Sequence, residues 1–225
     1  MHELLYQFFY LEVLYKPLEG KKITIQELEI LKSEIEVTIN KVFTKYVKER
    51  NLKRGKNVII VETAKKYVER IIISDTEVIK KGKDIKIISI EKRFESKIKT
   101  LKSEYKIRGI IDRIDEIDGK MRIIDYKTGK KLYKYNLKLK NIKEIRNPEG
   151  IYNLQLLFYM VGVAKDIQDK VIEMGIMSIK NMKDGVLTAM IGNQTEYKEG
   201  DLEEINNNIV QIIEEILNKD IKFEN

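Results

Sequence analysis

The dipeptide Asp118-Gly119 is the feature that most restricts how this chain can fold. A two-residue type I′ turn needs positive φ at both central positions, which Asp-Gly accepts more readily than most pairs. The dipeptide stands between two runs of β-branched and apolar residues, 107–117 and 120–126, as expected of a β-hairpin. With a two-residue loop, counting outwards from the turn predicts that Asp112 lies directly opposite Asp125 on one face of the hairpin.

Two carboxylates that face each other across a strand pair destabilise a sheet unless a cation compensates them. Lys127 shares the face of Asp125, because side chains alternate along a strand. Two such carboxylates also form an oxygen-rich site suited to Mg²⁺ or Mn²⁺. The same register places Asp115 opposite Arg122 on the other face, where they would form an ion pair. The apolar residues predicted to share the carboxylate face are Ile110, Ile114, Met121 and Ile123.

A hairpin with scattered, solvated charges is the alternative interpretation of this pattern. The apolar neighbours favour a covered face instead, and buried carboxylates need a partner. The residues alone therefore indicate a metal site at the hairpin.

Three motifs follow one another along the chain in a fixed order. The segment Gly109–Asp115 has the form Gly-x-x-Asp-Arg-Ile-Asp, Ile124–Gly129 has the form Ile-Asp-Tyr-Lys-Thr-Gly, and a later helix carries Gln155 and Tyr159. This pattern resembles the PD-(D/E)XK nuclease superfamily, and within it the RecB and AddB type of nuclease domain, which is related to the CRISPR-adaptation nucleases. The last pair is similar to the Gln-x-x-x-Tyr motif of that group. The resemblance covers residues 91–163, with a weaker match at the N terminus.

The resemblance implies an α/β fold with a restriction-endonuclease-like core, a central mixed sheet of about five strands flanked by helices. It implies Mg²⁺ or Mn²⁺ as cofactor, with the metal held by Asp112, Asp125, the backbone carbonyl of Tyr126 and His2. Lys127 would orient the attacking hydroxide or stabilise the pentacovalent phosphate. Gln155 and Tyr159 would position Lys127, the substrate backbone or a metal-bound water.

Two further positions take their interpretation from the same resemblance. His2-Glu3-Leu4-Leu5 is similar to a histidine-containing helix of the group, although the preceding glycine is absent, and the alternative is a terminal histidine with no role. This leads to the expectation that the chain is a C-terminal fragment of a longer protein. Glu91 stands where related nucleases carry a glutamate, and a structural role is as plausible as a catalytic one.

The composition limits the possible functions. The absence of cysteine excludes disulfides, zinc–thiolate sites and the iron–sulfur cluster of some related nucleases. No apolar run is long enough to cross a bilayer and no signal peptide is visible, so we expect no membrane partner and a cytoplasmic location. A net charge of +7 and a pI near 9.2 suit a polyanionic partner such as DNA.

We expect one nuclease-like domain over residues 1–225. It would comprise a helical part (1–80), a sheet core (84–191) with a helix at 150–165, and a terminal helix at 201–219. Ile59 and Ile216 are among the predicted core residues of the helices, from their apolar periodicity. The strand 85–94 is apolar enough to be predicted inside the sheet rather than at its edge.

A basic stretch with interleaved aromatic residues, 130–146, follows the lysine of the second motif. Basic and aromatic side chains together suit a surface that follows a nucleic-acid backbone and stacks on bases. The alternative is a solvated loop, which is the usual role of a charge run. The residues predicted to contact nucleic acid are Lys130, Lys131, Lys134, Tyr135 and Lys138.

The expected function is a metal-dependent DNA nuclease, an exonuclease on single-stranded ends in repair or recombination, with a helicase domain or subunit as a possible partner. The first alternative is a catalytically silent nucleic-acid-binding module of nuclease fold within a larger helicase–nuclease assembly. The second is a metal-free interaction module in which Arg108 and Arg113 neutralise the hairpin carboxylates, although Arg113 should point to the face opposite Asp112.

Overall fold

A computed structural model of the chain describes residues 13–45, 48, 54–101, 103–129, 137–166, 169–180, 182 and 185–220. In these ranges the α-helices are α1 (Ile25–Thr44), α2 (Lys56–Lys80), α3 (Ile151–Gly162) and α4 (Leu202–Leu217). The longer strands are β1 (Ile85–Lys99), β2 (Glu104–Ile117), β3 (Lys120–Lys127) and β5 (Ile172–Ser178). The short strands are β4 (Lys138–Leu139), β6 (Val186–Thr188), β7 (Met190–Ile191) and β8 (Glu196–Tyr197).

The main sheet has six strands in the order β1-β2-β3-β5-β6, and β8 pairs with one end of β5. β3 and β5 are parallel, and the other pairs in this sheet are antiparallel. β4 and β7 form a separate two-stranded parallel sheet. The mixed sheet flanked by helices agrees with the predicted restriction-endonuclease-like fold class.

The hairpin turn has the predicted backbone, with φ of 50° at Asp118 and 84° at Gly119. The predicted register is confirmed, since Asp115 pairs with Arg122. The ladder between β2 and β3 ends at Arg113 and Ile124, one pair before the two aspartates. Beyond that point β3 continues its pairing with β5 alone, so the sheet forks there.

Helices cover both faces of the sheet. On one face, α1 and α2 pack on the sheet in a core cluster that includes Ile39, Ile71 and Ile87. On the other face, α3 and α4 pack on the sheet in a second cluster that includes Leu156 and Ile209. α1 begins with a capping box in which Thr24 and Glu27 bind each other's backbone N–H groups.

Three details of the sequence prediction were wrong. β1 lies at the edge of the six-stranded sheet and not inside it. Its outer side pairs with residues 20–23 through bonds such as Gly20 N–H to the Ile87 carbonyl, 2.8 Å. Its apolar composition reflects burial of both faces, because the core cluster on each side of the sheet includes residues of β1. Ile59 is 69% exposed because it lies on the side of α2 opposite its buried residues, and Ile216 is 54% exposed because it lies in the last turn of α4.

Buried, paired charged side chains lie on the face of the hairpin that carries Asp115. The guanidinium of Arg113 donates to Asp115 through Nε (2.6 Å) and to Asp75 of α2 through Nη1 (2.8 Å). Arg122 donates to Asp115 through two nitrogens at 2.7 Å, which confirms the predicted ion pair. Arg113 thus points away from Asp112, as its position in the strand predicted.

No helix among the described residues combines the length and apolar character that a bilayer crossing requires.

Candidate active site

The fork between β2 and β3 places Asp112 next to the edge of β3 that faces away from β5. Oδ2 of Asp112 accepts a 2.7 Å hydrogen bond from the backbone N–H of Tyr126. That N–H lies beyond the last pair of the β2–β3 ladder. The aspartate side chain therefore takes the place of a ladder partner and holds β3 at the fork.

Asp125 lies on the adjoining strand, 3% exposed, and α3 covers it. Its Oδ1 accepts hydrogen bonds from Nε2 of Gln155 (2.9 Å) and from the hydroxyl of Tyr159 (3.2 Å). Because these two residues are four apart, they share one face of the helix. Nε2 of Gln155 also lies 2.6 Å from the Tyr159 hydroxyl.

Lys127 carries the cation of the site. Its Nζ lies 2.8 Å from Oδ2 of Asp125 in an ion pair, and it donates to Oε1 of Gln155, also at 2.8 Å. The ammonium also lies 5.1 Å from the ring centroid of Tyr152, within cation–π range. Lysine, aspartate and glutamine thus form a closed ring of contacts that orients all three side chains.

The electrostatics of the two aspartates favour a bound cation. Burial and the neighbouring charge of Asp125 raise the pKa of Asp112 well above its usual value. Burial also raises the pKa of Asp125, although Lys127 and the hydrogen bonds from Tyr159 and Gln155 oppose that shift. One ammonium therefore compensates two desolvated carboxylates only in part.

The ring of Phe94 packs against the ring of Tyr159. The Phe94 ring meets the Tyr159 ring edge to face, with centroids 6.2 Å apart. A Cβ at Gly109 would lie 2.8 Å from this ring, and one at Gly162 would lie 2.3 Å from it. Gly109, the glycine of the Gly-x-x-Asp motif, is therefore needed for the close approach of Phe94.

Comparison with known families identifies the superfamily of the chain. A family model of the PD-(D/E)XK nuclease superfamily matches residues 1–225. The chain belongs to the PD-(D/E)XK nuclease superfamily. No curated protein matches it. A solved structure described as "Crystal structure of SSO0001" aligns over 94% of this chain and 87% of its own, with 14% identity. Its TM-score of 0.29 is too low to support any argument.

Nucleases of the PD-(D/E)XK superfamily typically use divalent metals, and the residues present here fit one. Asp112 and Asp125 offer carboxylate oxygens, and Oδ2 of Asp125 is buried with no hydrogen bond from the described residues beyond its ion pair. The described residues contain no group of three His, Cys, Asp or Glu side chains that could hold a metal. Mg²⁺ commonly binds one or two carboxylates and keeps several waters, so two aspartates and a backbone carbonyl suffice.

Glu91 lies closer to the candidate site than its position in the sequence indicated. It stands between the pairs Ile90–Arg113 and Lys92–Ile111, which puts it at the register position opposite Asp112. Its φ of 51° is unusual for a glutamate. Its charge raises the pKa of Asp112.

The remaining predicted residues are not brought to the site by the described structure. Lys138 is exposed at the start of β4, in the small sheet. Those that lie outside the described residues are His2, Lys130, Lys131, Lys134 and Tyr135. Sequence reasoning had not singled out Tyr152 and Phe94 as site residues. Tyr152 could have been found, because it precedes Gln155 by three residues on the same helix face.

Proposed function

We propose that this protein is a Mg²⁺- or Mn²⁺-dependent deoxyribonuclease that hydrolyses phosphodiester bonds. The observation that carries the proposal is the position of Lys127. Its ammonium lies 2.8 Å from both Asp125 and Gln155, at the fork where Asp112 approaches the same strand. Two carboxylates beside an oriented ammonium suit hydrolysis of an anionic ester.

Asp112, Asp125 and the backbone carbonyl of Tyr126 would hold the metal, with His2 as a further proposed ligand. The bound ion would lower the pKa of a coordinated water and offset charge on the scissile phosphate. Tyr126 is suited to this role because its N–H holds Asp112, which ties the carbonyl of the same residue to the carboxylate position.

Lys127 would orient the attacking hydroxide or stabilise the charge of the pentacovalent phosphate. Gln155 and Tyr159 would act through Asp125 and Lys127, since both touch the aspartate and Gln155 also accepts from the ammonium. Their contacts restrict the rotamers of both charged side chains. A site held in this way loses less free energy to reorganisation when substrate binds.

We further propose that the substrate is a single-stranded DNA end and the reaction exonucleolytic, in repair or recombination. The motif resemblance to RecB and AddB type domains supports this, as does the basic charge of the chain. On the same grounds we propose a cytoplasmic location, a helicase domain or subunit as partner, and nucleic-acid contacts by the basic stretch that begins at Lys130.

Cleavage of end-labelled single-stranded DNA, duplex DNA and RNA in Mg²⁺, Mn²⁺ or EDTA tests the proposal. We expect metal-dependent cleavage of DNA that is lost in Lys127→Ala, with product lengths that separate exonuclease from endonuclease activity. Lys97→Ala is a matched control, because it removes an exposed lysine of β1. Binding of DNA in EDTA without cleavage in any metal would replace the proposal by the silent binding module.

A further inference from the structure

A cavity of about 500 Å³ opens beside the carboxylate site, between the outer part of β2 and α3. Gln155 and Tyr159, which both contact Asp125, line its inner end. We propose that this cavity binds one unstacked nucleobase of the strand whose phosphate lies at Asp112, Asp125 and Lys127. The inference rests on the proposed function and specifies how the substrate would be recognised.

The walls of the cavity suit the flat face of a base. Phe158 and Leu154 of α3 line one wall, and Phe94 contributes an aromatic ring held in place by its contacts with two glycines. Ile151, on the same helix, is 54% exposed at the rim. Aromatic and apolar side chains bind bases without strong sequence preference, because every base has a π-face.

The charges at the rim suit the phosphate backbone that a base brings with it. Arg108 and Lys106 line the cavity, and both side chains are exposed. A polar anionic strand with one apolar base is complementary to an apolar cavity with a cationic rim, whereas a purely apolar ligand would leave the rim unmatched.

A base can enter this cavity only when it has left the stack and its partner. Unstacking is least unfavourable in single strands and at frayed ends. The cavity therefore gives a physical reason for preferring an end over an intact duplex, since it lies next to the position of the scissile phosphate.

A scan with a single abasic nucleotide, placed in turn at each position around the cleaved bond, tests the inference without altering the protein. We expect one position at which base loss lowers kcat/KM about tenfold, mainly through KM. The same abasic substrate should be cleaved by Phe158→Ala at the rate of the intact one, because the ring that held the base is gone. Ile59→Ala, which removes an exposed side chain of α2, should keep the wild-type profile.

The outcomes separate the two proposals. Cleavage with a flat abasic profile would overturn the base cavity and leave the nuclease proposal standing. If no substrate is cleaved, the nuclease proposal fails, and fluorescence anisotropy with the same oligonucleotides in EDTA decides on the cavity. In that measurement, loss of affinity at one abasic position supports the cavity, and uniform affinity or no binding overturns it.

Discussion

Each face of the β2–β3 hairpin carries a buried aspartate of β2, but the pKa of Asp115 is lowered whereas that of Asp112 is raised. Asp115 has no exposed surface and contacts two guanidinium groups at 2.6 and 2.7 Å. Burial alone would raise its pKa, but Arg113 and Arg122 hold the pKa below its usual value. Its charge is fully compensated, so this face contributes to the fold.

Asp112, three residues earlier, points to the other face and lacks such compensation. Burial and Asp125 raise its pKa, and Lys127 is the nearby ammonium that opposes them. The comparison shows how one pair of strands serves two purposes. Where the cations match the carboxylates the hairpin is held to α2 by buried ion pairs, and where they do not, the carboxylates are left with a charge that suits a bound cation.

Replacing Arg113 by Met should produce the largest effect, because it leaves Asp75 and Asp115 buried with less compensation. Breaking a buried charge pair from one side costs about 3–5 kcal/mol. Denaturant unfolding measures the loss of free energy. Arg108→Met, an exposed arginine on the same strand, is the control and should unfold near the wild-type midpoint. Equal midpoints for the two variants would show that the ion pairs of Arg113 with Asp75 and Asp115 do not stabilise the fold.

Mg²⁺ or Mn²⁺ should stabilise the wild-type protein by binding to Asp112 and Asp125, on the face of the hairpin opposite Arg113. A ligand at 100 times its Kd raises the free energy of unfolding by about 2.7 kcal/mol. Thermal unfolding in metal and in EDTA measures this shift. We expect it to be absent in Asp112→Asn and retained in Glu104→Gln, a change of an exposed carboxylate on the same strand. A shift of equal size in both variants would place the metal elsewhere.

In EDTA, Asp112→Asn should stabilise the protein by roughly 1 kcal/mol, because it removes a desolvated charge that faces another carboxylate. An amide oxygen can still accept from the Tyr126 N–H. The same substitution three residues away, Asp115→Asn, should destabilise, because it removes the partner of two guanidinium groups. Opposite signs for identical chemical changes would establish the contrast between the faces, whereas losses of similar size would refute it.

The parts of this site that sequence predicts are those governed by local rules. The Asp-Gly turn and the alternation along a strand determine the hairpin register, which is why the pairing of Asp115 with Arg122 could be derived before the fold was known. The spacing of Gln155 and Tyr159 on one helix likewise predicted that they share a face. Local periodicity also predicted α3 and α4, with ends within about three residues of those observed.

The parts that could not be predicted depend on contacts between distant segments. The apolar pattern of β1 does not distinguish an interior strand from an edge strand whose faces are both covered. Nothing local to Phe94 reveals that its ring lies against Gly109 and Gly162, which come from two other elements. The two-residue strands β4, β7 and β8 are too short to show any period.

Tyr126 contacts residues on both faces of the hairpin, so its substitution tests whether the two faces act independently. The expected effect is the smallest of those described. The backbone N–H of Tyr126 holds Asp112, while its hydroxyl accepts from Nη1 of Arg113 at 3.3 Å on the opposite face. Tyr126→Phe should therefore cost about 1 kcal/mol of stability, as one buried hydrogen bond is lost. Cleavage should stay within a few-fold of wild type, because the backbone contact remains.

Tyr67→Phe is the matched control for that variant, since Tyr67 is a buried tyrosine of the same core cluster whose hydroxyl takes no part in the arginine network. Denaturant unfolding and cleavage kinetics of both variants give the comparison. If Tyr126→Phe abolished cleavage, as Lys127→Ala is expected to do, the buried charges of one face would set the geometry of the other. If it lost stability alone, the two faces would be separable, with the backbone of one residue as their common point.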